Sequence, residues 1–205
     1  MKHKGKFITF EGSEGSGKST QARLAHRYLK SRGRKVLLIR EPGGVKISEQ
    51  IRRILLDVKS RGMSDVCETL LYMAARAQLV QEVIEPALKQ GFIVLCDRFL
   101  DSTVVYQGYG NGVDLEFIRT VGRAVTKGIK PDFTLIFDLD TRQGLSRKKT
   151  AKDRIESRSI GYHNRVRRGY QALARQEPKR VKLIKVNDGK AAIQRIVRRF
   201  LNKFV

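Results

Sequence analysis

Residues 6–20 read Lys-Phe-Ile-Thr-Phe-Glu-Gly-Ser-Glu-Gly-Ser-Gly-Lys-Ser-Thr, and this stretch decides the fold. Lys6 to Phe10 is short, apolar and β-prone, as a buried strand should be. It runs into Gly12-x-x-x-x-Gly17-Lys18-Ser19, the spacing of a phosphate-binding P-loop. Gly12, Gly15 and Gly17 permit positive φ, so the backbone can curl and aim its N–H groups at a phosphate chain. The helix expected over Gln21–Leu29 adds the positive end of its dipole. The loop from Gly12 through Ser13, Glu14, Gly15, Ser16 and Gly17 to Lys18, Ser19 and Thr20 is therefore the expected ATP cradle. Lys18 can reach the β and γ phosphates, and the Ser19 hydroxyl can ligate Mg²⁺. An ordinary strand, glycine turn and helix is the plainer alternative.

Working outward, the 205 residues suit one α/β domain, and 40% hydrophobic content supports a real core. No apolar run reaches the roughly 18 residues of a membrane span. Met1-Lys2-His3-Lys4 leads straight into the first strand without the pattern of a signal peptide, which predicts a cytoplasmic protein. Cys67 on a helix and Cys96 in an apolar strand are expected as buried thiols rather than a bridge. The formal charge is +23. Residues 142–205 carry 20 Lys/Arg against 4 Asp/Glu. Such a field attracts polyanions, which admits a nucleic-acid binder, an enzyme of polyphosphate substrates, or a solvated basic surface.

Strand-like and helix-like segments alternate. Further strands are expected at Lys35–Arg40, Phe92–Cys96, Phe133–Phe137 and Val181–Val186, the last with the alternating lysines of an edge. Helices are expected over Ser48–Asp57, from a Ser64 or Asp65 cap towards Pro86, and from Asp114 to near Gly128. Glu68 is spaced from the cap for a capping box. Ile193, Ile196, Val197, Phe200, Leu201 and Phe204 form the stripe of a final amphipathic helix. Five strands separated by helices predict a parallel sheet covered on both faces, with ligands at the strands' carboxyl ends. Those ends carry Glu11-Gly12, Arg40-Glu41, Asp97-Arg98 and Asp138. Residues 142–158 hold seven basic residues and almost no apolar ones, which reads as a lid over the phosphate site.

The P-loop alone is shared by kinases, GTPases and motor ATPases. The base-reading Asn-Lys-x-Asp motif of a GTPase is missing, and helicases are normally larger. Arg40 and Arg98, at neighbouring strand ends, can clamp a monophosphate with planar forks. Asp97 can hold Mg²⁺ through water or orient the acceptor phosphate. Pro42-Gly43-Gly44 makes a rigid turn poor in side chains, which lets a flat ring approach. Tyr72 and Arg76 are four apart on one helix face.

The chain resembles the thymidylate kinases, nucleoside monophosphate kinases that phosphorylate dTMP. Carrying the resemblance are Phe10-Glu11-Gly12, the P-loop, Arg40-Glu41-Pro42-Gly43-Gly44 and the run Leu70 to Gln78. Asp97-Arg98-Phe99, Ser102-x-x-x-Tyr106-Gln107-Gly108 and Asp153-Arg154-Ile155-Glu156 follow in family order. The resemblance implies a P-loop nucleoside monophosphate kinase fold, ATP with Mg²⁺ as donor, dTMP as acceptor, and a homodimer packed through helices such as 64–89. It implies that Tyr72 stacks on the thymine and that Arg76, Ser102 and Gln107 read it. Tyr106 would exclude a ribose 2′-hydroxyl, and Glu14 would accept from the sugar 3′-hydroxyl. A broader deoxynucleoside monophosphate kinase is the alternative within the class. A basic nucleic-acid-binding ATPase is the alternative outside it, and leaves Glu-Pro-Gly-Gly and Tyr72/Arg76 without a role.

Four positions depart from the family pattern. Val45 stands for the usual Thr, Val105 for Ala, Tyr72 for Phe and Phe99 for Tyr. The first two are expected to alter volume or polarity near the sugar and base. The loop interior Ser13-Glu14-Gly15-Ser16 also lacks the arginine that some thymidylate kinases place there. The chain thus resembles the subgroup whose lid supplies it. Among Arg147, Lys148, Lys149, Lys152 and Arg154, the two arginines are the expected transition-state cations, with Arg147 favoured because Arg154 has acidic neighbours.

Overall fold

β1 (Lys6–Gly12) lies at the centre of a parallel sheet, and six of its seven residues are buried. The computed structural model describes residues 4–147 and 153–204. Among these the sheet has five strands, with β2 (Val36–Arg40), β3 (Ile93–Asp97), β4 (Phe133–Asp138) and β5 (Val181–Lys185) in the order β2-β3-β1-β4-β5. All neighbouring pairs are parallel. The expected five-stranded sheet is observed, with β5 at an edge. No described helix is long and apolar enough to cross a membrane.

The helices are α1 (Lys18–Ser31), α2 (Lys46–Leu56), α3 (Asp65–Leu79), α4 (Glu85–Lys89), α5 (Leu100–Thr103), α6 (Leu115–Val125), α7 (Thr141–Ser146), α8 (Ile160–Gln176) and α9 (Lys190–Phe204). A strand alternates its side chains between faces, so β1 serves two cores. Ile8 and Phe10 pack with Ala22, Ala25 and Leu29 of α1 and with Ile193, Val197 and Leu201 of α9. Phe7 points the other way, towards Leu79, Ile84 and Leu88. On that same face Val166, Tyr170 and Leu173 of α8 cover Ile136 and Val181. Full burial of an aromatic or branched side chain of this kind contributes about 1.5–3 kcal/mol.

Caps fall where the sequence places them. Ser64 Oγ accepts from Cys67 N at 3.2 Å, and Asp114 Oδ1 from Phe117 N at 2.7 Å. Glu68 does not complete the expected capping box; its carboxylate is spent on partners from outside the helix. Cys96 is buried as expected, but Cys67 is exposed, because the first turn of α3 turns that position outward. Wide π-helical turns at Val80–Ile84 and Val104–Gly110 carry no signature in hydrophobic spacing, and the second one shapes the site.

In register, Arg40 stands opposite Asp97, Asp97 opposite Phe10, and Gly12 opposite Phe137. The charged strand ends are therefore brought to one edge of the sheet. The expected lid is described only at its two ends. Thr141–Ser146 is helical, and Asp153 Oδ1 pins the turn after it by accepting from Ile155 N and Glu156 N. Lys148, Lys149 and Lys152 lie outside the described residues.

Candidate active site

The P-loop is built as its glycines require. Gly12, Gly15 and Gly17 all have positive φ, at 142°, 68° and 83°. Gly15 is also fixed by space: a Cβ there would stand 2.0 Å from Gly144 O, so the loop lies against the backbone of α7. Inside the loop Ser16 Oγ donates to Ser13 O at 2.7 Å. α1 begins at Lys18 without a side-chain cap or an acidic residue in its first turn. Its first N–H groups and its dipole are left for an anion.

The loop opens into a cleft of about 480 Å³. Lys18, Ser19 and Thr20 line one end; Arg40, Pro42, Tyr72, Arg76, Ser102, Tyr106 and Gln107 line the rest, with Glu14, Asp97 and Arg98 between. The size suits a nucleotide-scale ligand. Residues from four separated stretches of chain, 14–20, 40–42, 72–76 and 97–107, are thereby brought together.

Arg98 is the node. Its backbone φ is 73°, uncommon for a residue with a side chain and of the kind that concentrates at functional sites. Its guanidinium donates to Glu14 Oε1 at 3.0 Å, Tyr106 OH at 2.9 Å, Ser102 Oγ at 3.1 Å and Tyr170 OH at 3.2 Å. Burial alone would lower its pKa, but the phenol oxygens and the Glu14 and Glu11 carboxylates hold it charged. Glu14 responds in kind. Burial pushes its carboxyl up, and His163, Arg98, Lys18 and Tyr106 together hold it well below the usual range. Tyr106 OH donates to Glu14 Oε1 at 2.6 Å. Glu14 Oε2 is buried without a hydrogen-bond partner, 3.5 Å from His163 Nδ1. Lys18 is lowered by desolvation and then by Arg98, against the pull of Asp97, Glu14 and Glu11.

Other expected site residues have partners that the sequence did not indicate. Arg40 makes a bidentate pair with Glu49 at 2.9 and 3.1 Å and donates to Pro42 O. Arg76 is buried, with Nε and Nη2 at 2.8 and 2.7 Å from Glu41 Oε2. Ser102 Oγ lies 2.5 Å from Glu11 Oε2, and Gln107 Nε2 donates to Glu68 Oε1 at 2.8 Å. Asp97 lines the cleft with Oδ1 buried and unpartnered.

The two arginines of the basic segment separate. Arg147 is exposed, lines the cleft and reaches Gly15 O at 3.3 Å. Arg154 is buried and outside the cleft lining. Its Nη1 is 2.6 Å from Glu68 Oε2 and its Nε 2.8 Å from Leu55 O. In this structure Arg154's charge is committed to a buried carboxylate, whereas Arg147 faces the cleft. Val45 and Val105 do not line the cleft. Val105 is fully buried in the core, and Val45 is the N-cap of α2, where it makes no capping bond.

Several site residues were missed. Arg52 lines the cleft and donates to Pro42 O at 2.9 Å; helical spacing alone places it on the polar face of α2. Tyr170 reaches Glu11 Oε2 at 2.9 Å, and His163 reaches towards Glu14, both from α8. Glu11 is pushed up to about 7 by burial and by Asp101, with Arg98, Ser102 and the Phe99 N–H acting against them. Its place at the carboxyl end of β1 was legible in the sequence; its partners were not.

This arrangement has known counterparts. The family model described as Thymidylate kinase matches residues 10–197. A thymidylate kinase of Roseiflexus castenholzii is 49% identical over 193 residues, covering 87% of this chain and 84% of that protein. One of Symbiobacterium thermophilum is 46% identical over 198 residues, covering 96% and 92%. The crystal structure of thymidylate kinase from Ehrlichia chaffeensis superposes with a TM-score of 0.80 at 34% identity, covering 96% of this chain and 98% of that one. With a P-loop and an arginine-rich pocket sharing one cleft, and a family match over nearly its whole length, the chain belongs to the thymidylate kinase family.

Proposed function

We propose that the protein transfers the γ-phosphoryl group of ATP to dTMP, giving ADP and dTDP, in the cytosol. One observation carries the reading: a P-loop and a pocket lined by Tyr72, Arg76 and Arg98 share a single cleft. The P-loop end holds the triphosphate, with Lys18 on its β and γ phosphates. Tyr72 stacks on the thymine and Arg76 donates to it. Arg98 and Arg40 hold the dTMP phosphate. An oxygen of that phosphate attacks the γ-phosphorus in line, and the bond to the β–γ bridging oxygen breaks as ADP leaves. The chain's contribution is positioning and positive charge. Arg147, exposed beside Gly15, is among the described residues a cation placed to follow the moving phosphoryl group.

Glu14 Oε2 is a buried acceptor with no donor of its own, which fits a role in receiving the sugar 3′-hydroxyl. The donor set for magnesium also fits. Ser19 and Asp97 offer hard oxygen ligands, and Asp97 Oδ1 is an orphaned buried oxygen. No cluster of three or more acidic, His or Cys ligands occurs among the described residues, so Mg²⁺ would arrive with ATP and keep waters. Bound there, it would neutralise charge on the β and γ phosphates.

The protein works as a homodimer in this reading. Ile47 and Ile54 of α2 and Val66 and Leu70 of α3 are large exposed apolar residues on two helices packed together. Such a patch suits a second copy of the chain. Light scattering after Leu70→Glu should show a monomer where the unmodified protein is dimeric; equal masses would remove the proposal.

An ADP-release assay over dTMP, dUMP, dGMP and dCMP tests the activity. The highest kcat/KM is expected with dTMP. A higher value with any other monophosphate would overturn the assignment.

A further inference from the structure

Glu68 sits on α3 with its side chain fully buried, and four donors from elsewhere converge on it. Oε1 accepts from Gln107 Nε2 at 2.8 Å and Asn111 Nδ2 at 3.2 Å. Oε2 stands 2.6 Å from Arg154 Nη1 and 2.7 Å from Arg158 Nη2. Arg158 also donates to Asn111 Oδ1, which closes the ring. Four donors use the full acceptor capacity of a carboxylate.

Stability alone is a weak account of this cluster. Burying one anion with two guanidiniums carries a desolvation cost that apolar packing would avoid. The better-attested use of a buried ionic network is to set registry between elements. Here the elements are specific. Gln107 lines the acceptor part of the cleft. Arg154 and Arg158 bracket Ile155 and Glu156, which line it from the other side. One carboxylate therefore joins Gln107 to the turn that carries Ile155 and Glu156, two parts of the cleft wall.

We propose that Glu68 is a positioning residue that fixes the 154–158 turn, and with it the Ile155 and Glu156 lining of the cleft, against Gln107, so that a bound acceptor is held in line with the donor phosphates. It acts through Arg154 and Arg158 and touches no substrate. The inference rests on the acceptor-site reading given above, and its test separates the two.

Glu68→Gln keeps an oxygen for Gln107 and Asn111 but removes the charge that holds the guanidiniums. Two measurements apply: steady-state kinetics with ATP and dTMP, and amide hydrogen exchange without nucleotide. The amides of residues 154–158 are expected to exchange about tenfold faster, since their bonds to Leu56, Asp153 and Ile155 lose their anchor. Turnover should fall about tenfold or more, because misplacement by an ångström costs on that scale, while KM for dTMP moves less than about threefold. Glu68→Asp, which restores the charge, should recover part of the turnover. A purely structural role would lower the melting temperature and leave turnover well below it within about twofold. Exchange at 154–158 unchanged, or faster exchange with turnover unchanged, would overturn the proposal. An unmodified protein that does not phosphorylate dTMP would overturn the functional reading instead, and the exchange result would still decide the anchoring. Should Glu68→Gln fail to fold, Arg158→Gln removes one cation and leaves the Arg154 pair. The same localised exchange and a severalfold drop in turnover are then expected, and neither appearing would overturn the proposal.

Discussion

Arg98 and Glu14 meet at 3.0 Å, joining the end of β3 to the interior of the P-loop. The pair links the donor side of the cleft to the acceptor side through one guanidinium. Lys18 belongs only to the donor side. Their truncations should therefore differ. Lys18→Ala is expected to lower turnover by at least about a hundredfold, with dTMP binding retained. Arg98→Ala is expected to cripple dTMP use while ATP still binds. Calorimetry with each nucleotide checks this, and ATP affinity lost only in Arg98→Ala would reverse the assignment.

Arg147 and Arg154 occupy different surroundings and should fail differently. Arg147→Ala at saturating ATP and dTMP should lose on the order of a hundredfold or more in turnover, the scale of an arginine that meets the transferring group. Its melting temperature should hardly move. Arg154→Ala leaves Glu68 with Arg158 as its remaining cation and should cost about 2–3 kcal/mol of stability, less than a fully broken buried pair. Thermal melts beside kinetics resolve the two. A turnover loss below tenfold in Arg147→Ala would place the transition-state cation elsewhere.

Tyr106 is held by Glu14 and Arg98 at 2.6 and 2.9 Å, with its ring 4.7 Å from the Arg98 carbon. With the acceptor bound as proposed, a side chain fixed in this way would leave an added sugar hydroxyl without space or partner. That exclusion should be worth about 2–4 kcal/mol, so dTMP should exceed ribothymidine monophosphate in kcat/KM by roughly a hundredfold. Equal efficiencies would sink the assignment.

Glu11 makes stability depend on pH. Its folded pKa of about 7 lies above its usual value of 4.5, so the folded state holds the proton more tightly. The associated stability is present below pH 4.5 and is lost as pH rises through 7. Glu11→Gln keeps an acceptor for Phe99 N and puts an amide donor where Oε2 now accepts from Ser102 and Tyr170, whose hydroxyls can turn to accept from it. It should melt at least several degrees above the unmodified protein at pH 8, a difference of at most about 3 kcal/mol, and the gap should shrink towards pH 4.5. A gap that widens on acidification would contradict the shift.

The local order of this protein was written in its sequence. Strand alternation and glycine spacing are short-range signals, so β1, the P-loop, the five-stranded order of elements and the caps at Ser64 and Asp114 could be read residue by residue. The motifs located Lys18, Arg98, Tyr72 and Arg76, which the fold then brought into one cleft. Only the tertiary structure decided how charge is shared. Glu68 reads as half of a capping box three residues after Asp65, yet it binds Arg154 and Arg158 from some ninety residues away. Arg154 and Arg147 look interchangeable in a basic run, and burial of one and exposure of the other divides them. Tyr170 and His163 enter the site only because α8 brings them to Glu11 and Glu14, residues some 150 positions earlier in the chain. Hydrophobic periodicity reports which face of an element is buried. It carries no information about which ion will stand beside which, because that depends on where distant backbones come to rest and on how much water is left between them.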